Sequence, residues 1–160
     1  MERSRLDQAR FREVLGHFAT GLVVATASVE GAPTGFTCQS FASVSLEPEL
    51  VLFCPAKTSK SWPKMRSAPV LGLSILRDDQ EVLARAFSES GADKFAGVGW
   101  TPSQGGAPLL EGALAWLEVE IAEVHDAGDH HVVIAKVLDL VLHPGEPLLF
   151  FRGGYGSYSA

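Results

Sequence analysis

The sequence has few cysteines, a shortage of positive charge and no long hydrophobic run. Its two cysteines, Cys38 and Cys54, cannot build a disulfide framework, and both lie in apolar runs typical of buried or pocket-lining thiols. The 13 Lys and Arg residues are outnumbered by 19 Asp and Glu residues, which gives a formal charge of −6. Nucleic acid is therefore not expected as a partner, because binding its phosphates needs a basic face.

Targeting and membrane segments are also missing from the pattern. No run approaches the roughly 18 apolar residues that a membrane span needs. Residues 1–15 carry charges but no continuous apolar stretch, so they do not resemble a signal peptide. These features predict a cytoplasmic protein that contacts no membrane.

Length and composition predict a single domain over residues 1–160. A chain of this length buries a full core, since a domain of about 150 residues buries roughly 70% of its unfolded surface. It is too short for a nicotinamide-binding domain followed by a separate substrate domain. The 46% of hydrophobic and 20% of charged residues are typical of a globular protein.

An amphipathic helix is predicted near the N-terminus, over residues 7–18, with Asp7 as its candidate N-cap. Its apolar residues follow the i, i+3, i+4, i+7 spacing, at Phe11, Val14, Leu15 and Phe18. Shorter helices are predicted over 62–67 and 78–88, the second with Asp78 as its N-cap.

Short apolar or β-branched runs separated by turn signals predict the strands. They are 22–29, 34–41, 50–53, 70–76, 113–124, 130–142 and 148–151. Residues 97–108 are rich in Gly and Pro and are predicted to form a loop, and a short tail follows residue 152. Consecutive strands joined by short turns imply antiparallel pairing. We therefore predict a mainly β protein, an antiparallel β-barrel over about 21–152 with a few short helices.

Familiar nucleotide and catalytic motifs are missing. Gly97-Val98-Gly99 follows no predicted strand, so it is not a dinucleotide fingerprint, and there is neither a Walker-type motif nor a nucleophile elbow. His130 and His131 are neighbours on a predicted strand and point to opposite faces, so they cannot easily chelate one metal ion together. No metal site is predicted.

Three segments combine polar groups in patterns with both a functional and a structural interpretation. Residues 35–45 repeat hydroxyl and amide groups, which suits the polar edge of a flat heteroaromatic ring or a strand facing solvent. Residues 55–62 place two lysines and three hydroxyls before a predicted helix, which suits a phosphate site or a solvated loop. Residues 128–137 begin with Gly128-Asp129-His130, which suits a self-bonded turn or a histidine facing a pocket.

In this order and at these separations, the segments resemble the flavin reductase family, the small NAD(P)H:flavin oxidoreductases that supply reduced flavin to two-component monooxygenases. The resemblance covers roughly residues 9–156. Its motifs are Phe18-Ala19-Thr20-Gly21, residues 35–45, Pro48-Glu49-Leu50-Val51, Gln80 with Leu83 and Phe87, Lys94-Phe95, residues 108–113 with Trp116, Gly128-Asp129-His130 and residues 147–153. One departure is Ser74, where the family usually has Asn.

The resemblance implies an FMN-binding split barrel, usually a homodimer with the flavin near the subunit interface. The implied contacts to the flavin ring and ribityl chain are Thr37, Cys38, Gln39, Ser40, Ser43 and Val44. The implied phosphate segment comprises Pro55, Ala56, Lys57, Ser59, Lys60 and Ser61, closed by Phe87 and Ser88. Ser74 and Tyr155 are further cofactor-binding candidates. His130 is implied to be the catalytic residue on the nicotinamide side, braced by Asp129.

The implied reaction is hydride transfer from NADH or NADPH to FMN or FAD, and the reduced flavin diffuses to a separate monooxygenase. Such chemistry depends on stacked rings and oriented dipoles rather than on an acid–base triad, which agrees with the missing catalytic motifs. Two alternatives are a non-catalytic flavin-binding carrier or sensor with the same barrel, and an oxidase acting on pyridoxine phosphate. The extended Arg/Lys phosphate set expected for the oxidase is not evident.

Overall fold

The computed structural model describes residues 5–91 and 93–160 and consists mainly of antiparallel strands. Its helices are α1 (Gln8–Leu15), α2 (Trp62–Met65) and α3 (Glu81–Ser88). Its strands are β1 (Thr20–Gly21), β2 (Val23–Val29), β3 (Ala32–Cys38), β4 (Phe41–Leu46), β5 (Glu49–Phe53), β6 (Leu71–Ile75), β7 (Trp100–Pro102), β8 (Pro108–Leu110), β9 (Ala115–Ala127), β10 (His130–Leu142), β11 (Leu148–Phe151) and β12 (Gly154–Ser157). None of the described helices has the length and apolar character needed to traverse a membrane.

The main sheet has seven strands in the order β3-β2-β6-β9-β10-β5-β4, and each neighbouring pair is antiparallel. Its edge strands, β3 and β4, are consecutive in the chain and are separated only by Gln39 and Ser40. Because so short a connection spans only about 10 Å, the sheet must curl until its two edges approach each other. The result is a barrel that is split at this junction, which confirms the predicted fold class.

Strand β2 lies between two hydrophobic cores. Val23, Ala25 and Ala27 pack in the barrel interior, whereas Val24 belongs to a second core that includes Phe87 of α3. Because successive side chains of a strand point to opposite faces, residues 23–27 are all buried, including Thr26, whose hydroxyl donates a hydrogen bond to Pro108 O. This packing fixes α3 against the barrel wall.

Helix α1 differs from the predicted helix in length and in burial. Asp7 is its N-cap, as predicted, and its side chain accepts a hydrogen bond from Ala9 N at 3.0 Å. The helix ends at Leu15 rather than at residue 18, because the chain turns at Gly16, the C-cap. No residue of α1 is buried in this chain, so its apolar face has no partner within the described residues.

Other predicted elements also differ from the structure. The predicted strand 34–41 is divided into β3 and β4. The predicted loop 97–108 contains β7, which pairs with β8, and the tail forms β12, which pairs with β11. The helix expected to follow Asp78 begins at Glu81, with Gln80 at its N-cap. β7 is only three residues long, too short to show a periodicity of its own, and it forms because it pairs with β8.

Candidate functional site

A cavity of about 590 Å³ opens where the barrel is split, between the β3–β4 junction and the C-terminal end of α3. We term it the central cavity. Separate segments of the chain converge on it because the sheet curls and because α3 packs across β3. Its lining residues are 36–40, 54–56, 58–61, 87–91, Lys94 and His130.

The β3–β4 junction forms a polar rim. Thr37 Oγ1 donates a hydrogen bond to Ala84 O at 2.8 Å, which links the rim to α3. Ser40 Oγ donates to Cys54 O at 3.2 Å, which links it to the end of β5. The side chains of Gln39 and Ser40 are exposed, because the ladder of the sheet is interrupted between its two edge strands. The rim therefore presents amide and hydroxyl groups to the cavity.

A loop rich in hydroxyl groups, residues 58–61, borders the cavity ahead of α2. Ser59 Oγ accepts a hydrogen bond from Trp62 N at 3.1 Å, so the proton of the Ser59 hydroxyl remains available to a ligand. The exposed ammonium group of Lys60 and the hydroxyl of Ser61 line the cavity beside it. These donors suit an anionic group.

Lys57, in the same predicted phosphate segment, has a different environment. Its Nζ lies 3.0 Å from Asp126 Oδ1, and it is not among the residues that line the central cavity. The hydrogen bond from Lys57 is the main reason why the pKa of Asp126 is lowered. Because the pair lies at the surface, screening by solvent keeps its contribution to the stability of the fold small.

Lys94 and Ser88 form the wall on the side of α3. Lys94 Nζ donates to Gly35 O at 3.0 Å and to Phe87 O at 3.2 Å, which links β3 to the end of α3. Burial lowers the pKa of Lys94. Ser88 Oγ donates to Ala84 O at 2.8 Å. An ammonium group has three donors, so Lys94 keeps one N–H beyond these two bonds.

The turn between β9 and β10 brings His130 to the cavity. Gly128 has a φ of 69°, which a glycine adopts without strain. Asp129 Oδ1 accepts a hydrogen bond from His130 Nδ1 at 2.7 Å, and this bond is the main reason why the pKa of Asp129 is lowered. His131 points to the other face, as strand alternation predicts, and contacts Trp62.

Both cysteines are free thiols that line the central cavity, which confirms that part of the prediction. Burial, with a smaller contribution from Cys54, raises the pKa of Cys38 to about 12. The Cys38 thiol therefore stays protonated at neutral pH and is a poor nucleophile. It contributes apolar surface to the cavity rather than covalent chemistry.

Most of the predicted site residues lie together in this cavity. They are Thr37, Cys38, Gln39, Ser40, Pro55, Ala56, Ser59, Lys60, Ser61, Phe87, Ser88 and His130. Lys57 and Asp129 lie beside the cavity without lining it.

The remaining predicted residues lie away from the cavity in this chain. Ser43 and Val44 are exposed on β4. Ser74 is fully buried, and its Oγ accepts a hydrogen bond from Leu110 N at 3.1 Å, so the hydroxyl holds β8 against β6. Tyr155 packs against Phe150.

Some cavity residues have no assigned ligand contact in the sequence analysis. They are Phe36, Cys54, Thr58, Glu89, Ser90, Gly91 and Lys94. The Lys94-Phe95 pair is visible in the sequence, but only the folded chain brings its ammonium group to the end of α3. Among residues 5–91 and 93–160, no group of three or more potential metal ligands lies together.

Comparison with known proteins identifies relatives over nearly the whole chain. A family model described as "Flavin reductase like domain" matches residues 15–159. The reductase subunit HsaB of a flavin-dependent monooxygenase from Mycobacterium tuberculosis is 44% identical over 155 residues, which cover 95% of this chain and 83% of that protein.

Two solved structures share the fold. Nitrilotriacetate monooxygenase component B from Mycobacterium thermoresistibile has a TM-score of 0.92 at 45% identity, and the match covers 96% of this chain and 87% of that chain. The NADH:FAD oxidoreductase SgcE6 from Streptomyces globisporus C-1027, in complex with NAD and FAD fragments, has a TM-score of 0.90 at 35% identity. That match covers 96% of this chain and 93% of that chain.

Proposed function

The chain belongs to the flavin reductase-like domain family, and from this premise we propose that it is an NAD(P)H-dependent flavin reductase acting on FMN or FAD. The observation that carries the proposal is the convergence of three groups on one cavity. These groups are the polar rim at 37–40, the lysine and hydroxyl groups at 58–61, and His130.

The central cavity suits a flavin mononucleotide in size and in the placement of its polar groups. Its volume of about 590 Å³ lies in the range of roughly 300–1,000 Å³ that is usual for ligand pockets. Gln39 and Ser40 offer hydrogen bonds to the polar edge of a flavin ring, and Phe87 and Pro55 offer apolar surface. The donors at 59–61 suit the phosphate.

When bound, the flavin supplies the redox chemistry, because its ring accepts a hydride from reduced nicotinamide. The residues of this chain bind the flavin and the nicotinamide and orient them. The rim orients the ring, Lys60 and its neighbouring hydroxyls hold the phosphate, and His130, braced by Asp129, orients the nicotinamide. No side chain has to transfer a proton, so the rate depends on how well the two ligands are positioned.

We further propose that the protein is a homodimer with the flavin near the interface. An apolar cavity of about 760 Å³ adjoins the central cavity and shares Gln39 and Ser40 with it. Val14, Leu15 and Phe18 line this apolar cavity and are exposed in the single chain. Monomeric proteins rarely expose large apolar patches. A second copy is the proposed occupant, because a twofold interface covers the same unburied α1 region in both copies.

The proposed physiological partner is a separate flavin-dependent monooxygenase that receives the reduced flavin. The relative HsaB is named as the reductase subunit of such an enzyme, which supports this part of the proposal. The proposed location is the cytoplasm. The two free thiols agree with a reducing compartment, since disulfides form in oxidising ones.

The test is oxidation of NADH, and separately of NADPH, by the purified protein with FMN, FAD or riboflavin added in turn. We expect flavin-dependent loss of the near-ultraviolet absorbance of reduced nicotinamide. A protein that binds flavin but oxidises neither donor is a carrier or sensor. A protein that neither binds flavin nor oxidises a donor contradicts the assignment of the cavity as well.

A further inference from the structure

The loop proposed to hold the flavin phosphate and the turn that carries His130 form one connected unit. Two backbone hydrogen bonds, from Lys57 N to Asp129 O and from His131 N to Pro55 O, are each 2.9 Å long. The residues between them form an antiparallel bridge. A displacement of the loop is therefore transmitted directly to the turn.

His131 lies behind this unit, on the face of β10 opposite to His130. Its side chain is 17% exposed, and its Nδ1 accepts a hydrogen bond from Trp62 Nε1 at 3.1 Å. An indole N–H is only a donor, so Nδ1 of His131 has no proton and the neutral ring carries its proton on Nε2. That Nε2 lies 3.3 Å from Asp126 Oδ1. The network thus assigns one tautomer to His131.

Both hydrogen-bond partners of His131 also contact the loop proposed to hold the flavin phosphate. Asp126 Oδ1 is also 3.0 Å from Lys57 Nζ, so one carboxylate oxygen joins His131 to the start of the loop. At the other end, Trp62 is buried, and its backbone N donates to Ser59 Oγ. His131 therefore holds the loop at two points, through Asp126 and through Trp62.

We propose that His131 is a positioning residue that couples the flavin and nicotinamide sites, an inference that rests on the proposed function. His131 does not line the central cavity, so it acts through other residues. Because it holds the loop against the turn, an anion bound at the loop orders His130. A flavin with a phosphate then improves the binding of nicotinamide, and by linkage nicotinamide improves flavin binding by the same factor.

The experiment compares FMN with riboflavin, the same ring without the phosphate, in the wild type and in His131→Phe. Phenylalanine keeps a ring against Trp62 but cannot accept its N–H. In the wild type, we expect a lower KM for NADH with FMN than with riboflavin. In His131→Phe, we expect the KM with FMN to rise by about three- to tenfold, the effect of losing one hydrogen bond, until it equals the riboflavin value. The kcat should change less than the KM.

Binding without NADH gives a second measurement that does not depend on turnover. The Kd for FMN, measured by the change in flavin fluorescence, should rise by about three- to tenfold in His131→Phe. The Kd for riboflavin should stay the same, because riboflavin has no phosphate for the loop to hold.

Two further variants separate positioning from folding. His131→Asn keeps an acceptor for the Trp62 N–H. In this variant the KM for NADH should again be lower with FMN than with riboflavin, by most of the wild-type difference. His125→Phe is the matched control, because His125 is on the same hairpin and pairs with Glu123 at 2.9 Å but does not contact the loop. It should behave like the wild type. Melting temperatures identify any variant that is unfolded.

Three results would overturn the proposal. The first is a wild type whose KM for NADH is the same with FMN and with riboflavin, and the second is a His131→Phe variant whose KM for NADH stays lower with FMN. The third is a rise in KM or Kd in His131→Phe that is equally large with riboflavin. If the wild type oxidises no NADH with any flavin, the proposed function fails instead. In that case the Kd values still decide whether His131 supports binding of the phosphate, and an unchanged Kd for FMN overturns that role.

Discussion

His130 and Asp129 are adjacent in the chain and share a hydrogen bond of 2.7 Å between Nδ1 and Oδ1 at the rim of the central cavity. The Asp129 side chain is 93% exposed, so the bond orients the imidazole ring more than it stabilises the fold. It leaves Nε2 as the ring nitrogen that Asp129 does not engage.

Replacing His130 tests its proposed role on the nicotinamide side. His130→Ala should raise the KM for NADH and lower the rate of hydride transfer by about tenfold, because an orienting contact to the nicotinamide is lost. The Kd for FMN should stay within a few-fold of the wild-type value. Steady-state and stopped-flow kinetics measure the first two quantities, and flavin fluorescence measures the third. Unchanged NADH kinetics would remove His130 from the site.

Lys60 and Lys57 form a matched pair for testing the phosphate end. Lys60→Ala should raise the Kd for FMN by about ten- to a hundredfold, as expected for a lost charge-assisted hydrogen bond, with no change for riboflavin. Lys57→Ala should have a smaller effect, because the Lys57 ammonium group is paired with Asp126. Titration of flavin fluorescence at low and high salt measures both variants. Equal losses in the two variants contradict the assignment.

The raised pKa of Cys38 gives a prediction for alkaline pH. The folded chain holds the Cys38 proton up to a pKa of about 12, against an ordinary value of 9.0. Between these pH values the unfolded chain releases a proton that the folded chain retains, so the free energy of unfolding falls as the pH rises.

Urea unfolding at increasing pH measures this effect, and Cys38→Ala should lose this part of the decline. At pH 8–9, iodoacetamide should modify Cys54 before Cys38, because burial keeps Cys38 as the unreactive thiol. Mass spectrometry determines the order in which the two cysteines are modified. Modification of Cys38 first would show that its thiol is not shielded.

Phe18 and Val82 form a matched pair for testing the homodimer. Their side chains are 78% and 82% exposed in the single chain, but only Phe18 lines the apolar cavity next to the central cavity. Phe18→Asp should yield monomers, because a charge cannot be buried unpaired at an apolar interface. Val82→Asp should leave the dimer intact. Light scattering after gel filtration measures the mass, and a wild-type mass of 17.1 kDa contradicts the dimer.

The helices and strands that were predicted correctly carry a signal within their own residues. Residues 22–29 are rich in apolar and β-branched residues, and β2 is covered on both faces. Asp7 precedes an amphipathic helix and caps it. The strands that were missed, β7 and β12, are three and four residues long, too short to show a periodicity of their own. β7 forms because it pairs with β8 across a short loop, and β12 forms because it makes a tight hairpin with β11.

The candidate site likewise combines features that the sequence predicts with features that depend on tertiary contacts. The opposite orientations of His130 and His131 follow from strand alternation alone, and the hydroxyl-rich segments are visible as short motifs. The positions of Ser74 and Lys57 could not be predicted in this manner. The hydroxyl of Ser74 bonds to Leu110 N, and the ammonium group of Lys57 pairs with Asp126.

The sequence by itself determined the strand periodicity, the cap of α1 and the order of the polar segments, because each depends on residues a few positions apart. Tertiary structure alone decided which of those polar groups meet. The sheet had to curl at Gln39 and Ser40 before its edges could meet at a cavity, and Lys94 had to reach across to Gly35 and Phe87. Contacts between distant residues depend on the global path of the chain, which no local pattern contains.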